Sequence, residues 1–217
     1  MVTEQELNHE KAIETAVYLS DEFDILPELT LNAGLRYSWF ALFGDKLVYL
    51  YEDDDTQTPA SVVDSLTFGS GEIVKSYGCI EPRISFNWEA SQGYSMKLSY
   101  QRTRQYIHQI SNNAVVSPAE TWKSSDYYLE PLINDQVAVG IQKDNINGKY
   151  NLSSEIYYKK LKNLIEYKNG AQIIKNQHLE TDLIPSDGFS YGAELSLNKK
   201  EGRLTGWFNY TLSRIFS

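Results

Sequence analysis

The chain has 217 residues, with 20 Lys and Arg against 29 Asp and Glu, for a formal net charge of −9. That acidic balance argues against a nucleic-acid partner, which needs a basic footprint. The single cysteine, Cys79, excludes an internal disulfide and any zinc site built on cysteines, and no run of about 18 apolar residues offers a transmembrane helix.

Alternation of apolar and polar residues predicts eight strands. The first, about 12–23, lines up Ile13, Thr15, Val17 and Leu19; its Ala, Glu and Leu content makes helix a weak competitor. The second, about 29–40, sets Leu29, Leu31, Ala33, Leu35 and Tyr37 against Thr30, Asn32, Gly34, Arg36 and Ser38. The third, about 80–90, sets Ile84, Phe86 and Trp88 against Ser85, Asn87 and Glu89. The fourth, about 94–106, sets Met96, Leu98 and Tyr100 against Lys97, Ser99 and Gln101. The fifth, about 135–145, sets Val137, Val139 and Ile141 against Gln136, Ala138, Gly140 and Gln142. The sixth, about 149–160, carries Leu152, Ser154, Ile156 and Tyr158 on its dry side. The seventh, about 188–200, carries Phe189, Tyr191, Ala193, Leu195 and Leu197 there, and the eighth, about 203–214, carries Leu204, Gly206, Phe208, Tyr210 and Leu212.

Turn chemistry fixes the register between neighbours. Pro27 breaks the ladder between strands one and two. Ser91-Gln92-Gly93 predicts a three-residue loop that sets Trp88 opposite Met96 and Phe86 opposite Leu98. Asn147-Gly148 predicts a type I′ turn with Ile141 opposite Ser154 and Val139 opposite Ile156. Glu201-Gly202 predicts a two-residue turn with Leu195 opposite Phe208 and Ala193 opposite Tyr210. Residues 44–77, 107–132 and 162–187 are long connections, the last with room for a small hairpin of its own. Short and long connections therefore alternate strictly.

That alternation points to the environment of the dry face. A soluble barrel turns its apolar face inward; an outer-membrane barrel turns it outward, with short turns at one rim and long loops at the other. Strands of about 11–13 residues also meet the roughly 9–11 that cross a bilayer. The expected fold is all-β: an antiparallel up-and-down meander of about eight long strands, part of a transmembrane β-barrel. Leu31, Leu35, Phe86, Trp88, Leu98, Val139, Ile156, Leu195 and Phe208 are expected to face lipid. Glu14, Arg36, Lys97, Glu155, Glu194 and Arg203 suit a watery lumen, and Trp39, Phe40, Tyr77, Tyr106, Tyr150 and Phe216 fall where an aromatic girdle would sit.

Catalytic and metal signals are weak. His9, His108 and His178 are scattered, read as surface histidines, and have no metal spacing. Glu52-Asp53-Asp54-Asp55 offers oxygen ligands for Ca²⁺ but lacks the EF-hand glycine and glutamate spacing, which favours a solvated loop tip. No hydrolase, zinc-protease or phosphate-loop motif occurs, and Cys79 reads as an inert strand residue. Trp122, Tyr127 and Tyr128 in the second long loop could stack on a ligand or pack on one another. Arg102 and Arg104, also candidate ligand contacts, continue the fourth strand toward that loop with the parity of the lipid-facing residues, so the membrane should end before Arg102.

The stretches LTLNAGLRYSWF (29–40), EPRISFNWEASQGYSMKLSYQRTRQYIHQISNN (81–113), EIYYKKLKNLIEYKNGA (155–171) and GFSYGAELSLNKKEGRLTGWFNYTLSR (188–214) resemble the barrel of a TonB-dependent outer-membrane receptor, closest to those of Bacteroides-type bacteria. The resemblance spans most of residues 11–214. It implies a Gram-negative outer-membrane location, a 22-stranded parent barrel and no enzyme activity or cofactor. It implies uptake of a scarce nutrient such as a siderophore, cobalamin, a glycan or a peptide. It further implies a plug domain inside the barrel and TonB as the energy-coupling partner. Residues 1–217 show no plug domain, TonB box or signal peptide, so the expectation is an internal partial barrel whose edge strands self-associate in isolation. A complete eight-stranded membrane barrel, a soluble β-sheet ligand-binding module and a β-sheet glycosidase with paired carboxylates remain as alternatives.

Overall fold

The computed structural model describes residues 9–52, 57–90, 93–110, 121–171, 176 and 178–217. Its strands are β1 (Lys11–Leu26), β2 (Leu29–Phe43), β3 (Lys46–Tyr51), β4 (Val62–Phe68), β5 (Ile73–Ala90), β6 (Tyr94–Gln105), β7 (Ile107–Ile110), β8 (Thr121–Ser124), β9 (Leu132–Ile146), β10 (Tyr150–Tyr167), β11 (Leu183–Lys199) and β12 (Gly206–Phe216). Eight of these form one antiparallel sheet in the order β1-β2-β5-β6-β9-β10-β11-β12, while β3–β4 and β7–β8 are separate hairpins. The meander read from the alternation is the meander observed. Segment 12–23 is strand rather than helix, because its positions pair along the whole of β2 and that pairing outweighs helix propensity.

Two adjacent rows across the sheet show how the faces separate. Phe23, Leu31, Phe86, Leu98, Val139, Ile156, Ala193 and Leu212 are successive cross-strand partners, apolar in all eight strands. One residue along, Asp24, Thr30, Asn87, Lys97, Gly140, Glu155, Glu194 and Thr211 form a row of polar residues and one glycine. A slip of one residue would push Asp24, Lys97, Glu155 or Glu194 into the apolar row in β1, β6, β10 or β11, and an uncharged polar residue or glycine there in the other strands, so the pattern favours the observed registers.

The short turns are tied to their neighbours. Gly93 has φ +74° and closes β5–β6 in the expected register, with Trp88 opposite Met96. Asn147 and Gly148 have φ of 51° and 73°, the two positive values a type I′ turn requires, and Lys149 N donates to Ile146 O at 3.1 Å. The β11–β12 turn departs from expectation. It takes residues 200–205, so Leu195 meets Tyr210 rather than Phe208, and Ala193 meets Leu212 rather than Tyr210. The shift is two residues, so the faces survive it. Each turn also bonds to the strand beyond: Glu89 N to Glu28 O (2.7 Å), Asp144 N to Gly93 O (2.8 Å) and Lys200 N to Lys149 O (2.8 Å).

At the other rim the strands run on. β5 and β10 have 18 residues each, well beyond the roughly 9–11 that span a bilayer. No separate hairpin forms among the described residues of 162–187; β10 and β11 simply continue, with a register shift between Leu161 and Leu164 and Asn163 at φ 59°. At this rim Phe40 and Leu42 of β2, Val74 of β5 and Tyr106 after β6 form a small core with Val48 of the β3–β4 hairpin. This corrects the girdle expectation for three aromatics. Phe40 and Tyr106 are buried and stacked at 5.1 Å, and Tyr77 packs against the same core. Phe40 shares the inner parity of Arg36 and Ser38, so loop residues rather than lipid cover it. Among the described residues the sheet stays open, with β1 and β12 exposed along their whole length.

Candidate functional site

The inner face is a curved wall. Its lower half bounds an open concavity of about 730 Å³ whose charged lining is Glu22, Glu89, Glu155 and Glu194 against Lys97. Glu155 and Glu194 are direct cross-strand partners. Like charges in that position repel, so the wall favours water or a cation between them. Arg36 and Glu14 form a loose ion pair at 3.4 Å higher up the wall. Arg203, expected on this face, lies instead in the exposed 200–205 turn.

Above the wall the long connections are held by buried polar links. Tyr106 Oη donates to Ser38 Oγ (2.7 Å), which donates to Glu81 Oε1 (2.5 Å), and all three residues are buried. A second link joins two carboxylates to two ammonium groups. Glu10 lies 3.2 Å from Lys46 and 2.8 Å from Lys123; Asp126 lies 3.1 Å from Lys46 and 2.7 Å from Lys123. Asp126 also accepts from the amides of Tyr128 (3.1 Å) and Leu129 (3.0 Å), and Glu10 from the amide of Ser124 (2.8 Å). Burial alone would raise the Asp126 pKa, but Lys123 and Lys46 outweigh it and hold the carboxyl at about 2. Burial likewise opposes ionisation of Glu10, and the same two lysines pull it below the ordinary carboxylate range. The Lys123 ammonium is held above its ordinary value by Asp126 and Glu10 despite burial.

A third link is aromatic. Tyr51 Oη donates to Glu180 Oε1 (2.5 Å) and lies 3.1 Å from His178 Nδ1, while the Tyr49 ring sits 4.4 Å from the His178 ring. His178 is thus half-buried, and of the three histidines expected at the surface His108 is the one that lies inside. His108 is buried, 3.0 Å from Ser125 Oγ, and burial pushes its pKa down. His9 is exposed. Asp53, Asp54 and Asp55 of the acidic run lie outside the described residues, and Glu52 is exposed.

The loop aromatics divide. Tyr128 packs on the rim core and donates to Tyr49 O at 2.6 Å. Tyr127 keeps 38% of its surface and meets Tyr128 edge-on, with the Lys75 ammonium 4.9 Å from its ring centre. Trp122 stands 61% exposed on β8. The arginines do not join them. Arg102 turns to the outward face and clasps Asp135 through Nε and Nη2 at 2.7 and 2.9 Å, and Tyr100 Oη donates to the same carboxylate. Arg104 shares that parity, and its Nε is buried without a hydrogen-bond partner among the described residues. The Glu10, Lys46, Lys123 and Asp126 cluster escapes sequence reasoning because its members are scattered from residue 10 to residue 126 and share no spacing.

The expected lipid-facing residues all lie on the outer face. Leu35, Ile156 and Phe208 keep more than half of their surface, with no second layer of protein against them among the described residues. Among the described residues no helix is long and apolar enough to cross a membrane.

A family model described as TonB dependent receptor-like, beta-barrel matches residues 6–216. No curated protein matches the chain by sequence. Among solved structures, the FrpB iron transporter from Neisseria meningitidis (F3-3 variant) is similar over 97% of this chain and 27% of its own, with TM-score 0.62 and 15% identity. The alcaligin outer-membrane receptor FauA from Bordetella pertussis is similar over 95% of this chain and 31% of its own (TM-score 0.57, 14% identity). The ferripyoverdine receptor of the Pseudomonas aeruginosa outer membrane is similar over 95% and 23% respectively (TM-score 0.58, 13% identity). The chain thus spans about a quarter to a third of these receptors. None of the three comes from a Bacteroides-type bacterium.

Proposed function

Because the chain belongs to the TonB-dependent receptor-like β-barrel family, we propose that its sheet is one segment of an outer-membrane barrel wall. In this reading the parent receptor takes up a scarce nutrient from outside a Gram-negative cell and performs no catalysis. The observation that carries the reading is the bare outer face. An unbroken apolar row crosses eight strands with no protein layer over it among the described residues, and such a face is stable against hydrocarbon rather than water. The wet inner wall would face a plug domain and the passing nutrient, with TonB supplying energy through the plug. The nutrient in this reading is a siderophore, cobalamin, glycan or peptide, and the exposure of Trp122 and Tyr127 on the long-connection rim supports them as its contacts.

The test is fractionation of the source cells and blotting with an antibody to this chain. The reading requires the antigen in the outer membrane, on a polypeptide several times larger than 24.9 kDa. Antigen in the soluble fraction would overturn it and make the apolar face the core or interface of a soluble binding protein.

A further inference from the structure

The outward face carries charge of a sign opposite to the chain's own. On β6, β10 and β12 the residues of outward parity change from apolar to basic toward the long-connection rim: Tyr100 then Arg102, Tyr158 then Lys160 and Lys162, Leu212 then Arg214. The register sets Lys160 and Arg214 two strands and one outward row apart, with Phe189 and Tyr191 of β11 between them. Lys160 is flanked by Asp135 and Phe189, Phe189 by Phe216, and Arg214 by Tyr191. The carboxylates of outward parity beside them are Asp135 and Asp187. Asp135 is already engaged by Arg102 and Tyr100. Lys160, Lys162 and Arg214 are exposed and form no ion pair with the described residues.

The same place holds an aromatic belt. Tyr158, Phe189, Phe216 and Tyr191 stack at 6.1, 5.0 and 6.0 Å between successive ring centres. Aromatic belts sit at the depth of lipid headgroups. Unpaired cations gathered at that depth, on a chain of net charge −9, select an anion rather than a neutral surface.

We propose that Lys160, Lys162 and Arg214 form a seat for the phosphate groups of anionic lipid headgroups at the long-connection surface of the membrane. The proposal rests on the membrane reading above. The occupant is lipid because the seat adjoins the apolar band directly, so a headgroup placed there keeps its own chains against Tyr158 and Ile156.

The test separates the two readings. The purified chain is mixed with neutral phosphatidylcholine vesicles and floated on a density gradient, which tests membrane entry alone. It is then reconstituted in phosphatidylcholine containing one-tenth phosphatidylglycerol, extracted gently, and its retained lipids are weighed by native mass spectrometry. Each cation near an anionic surface is worth about five-fold, so phosphatidylglycerol on the wild type should exceed its bulk share by about five-fold or more. The enrichment should vanish in K160Q/K162Q/R214Q and persist in K143Q, whose ammonium lies 3.6 Å above the Tyr94 ring at the opposite rim. Should the triple variant fail to float, K160Q and R214Q are compared singly, each expected to lose several-fold. Wild type that floats without enrichment, or enrichment that the variants keep, overturns the lipid seat and leaves the membrane reading standing. Wild type that does not float with neutral vesicles overturns both.

Discussion

Tyr157 lies across Gly192, its cross-strand partner, so closely that a Cβ at Gly192 would stand 2.6 Å from the phenol oxygen and 2.7 Å from Leu212 O. The backbone contact cannot swing aside, so Gly192→Val should cost about 1–3 kcal/mol through overpacking. Urea unfolding in detergent checks this, and an unchanged midpoint would mean that the β12 backbone at Leu212 yields along with the ring. Asp126 supplies a second residue-scale expectation. Its folded pKa of about 2 lies below the ordinary 3.8, so its ionised form stabilises the rim. That contribution, about 2 kcal/mol, is complete above about pH 4 and is lost as pH falls through 2. Amide protection at Tyr128 and Leu129, which donate to Asp126, should fall over that interval in the wild type. Asp126→Asn should start weaker and show no such slope; a slope that survives it would assign the effect elsewhere.

The strands carry the same argument at the next scale. Ile156 sits in the middle of the apolar row, flanked by Val139 and Ala193. Ile156→Lys should destabilise the folded, lipid-embedded state by about 2–4 kcal/mol, as a charge does at mid-membrane depth. Glu155→Lys, one residue away on the wet face, should change it far less. Equal losses measured by unfolding from vesicles would contradict the assigned faces. What the sequence reveals at this scale is what repeats locally. Period-two alternation exposes all eight wall strands, and Gly93 and Asn147-Gly148 give correct registers because their positive φ demands those residue types. Glu201-Gly202 misleads because a wider loop with Gly202 at φ 114° closes the same two strands. Pro82 and Pro185 look hostile to a central strand. Each sits where one neighbour has already left: β6 pairs with β5 only from Arg83 onward, and β12 pairs with β11 only from Phe189 onward. A proline there costs no ladder bond on that side. The rim hairpins and their buried charges stay illegible because they depend on contacts between distant segments. Lys46 with Asp126 and Tyr51 with Glu180 have no local signature.

For the molecule as a whole, the open sheet is the governing fact. Among the described residues β1 and β12 each present an unpaired edge as long as a barrel strand, and such edges recruit other strands. The isolated chain in detergent is therefore expected to run as oligomers on size-exclusion chromatography with light scattering. Monodisperse monomer in plain buffer would argue that the edges are protected in a way the sheet does not reveal. The short-turn rim has the opposite character. Glu28, Gly93 and Lys149 each lend a carbonyl to the strand beyond their own hairpin, so consecutive hairpins are laced together across their axes. A tug delivered to whatever occupies the lumen would reach this hem as tension shared among several hairpins instead of a load on one. If the sheet is the barrel segment proposed above, this lacing would let it serve as a fixed frame that does not shear under such a load.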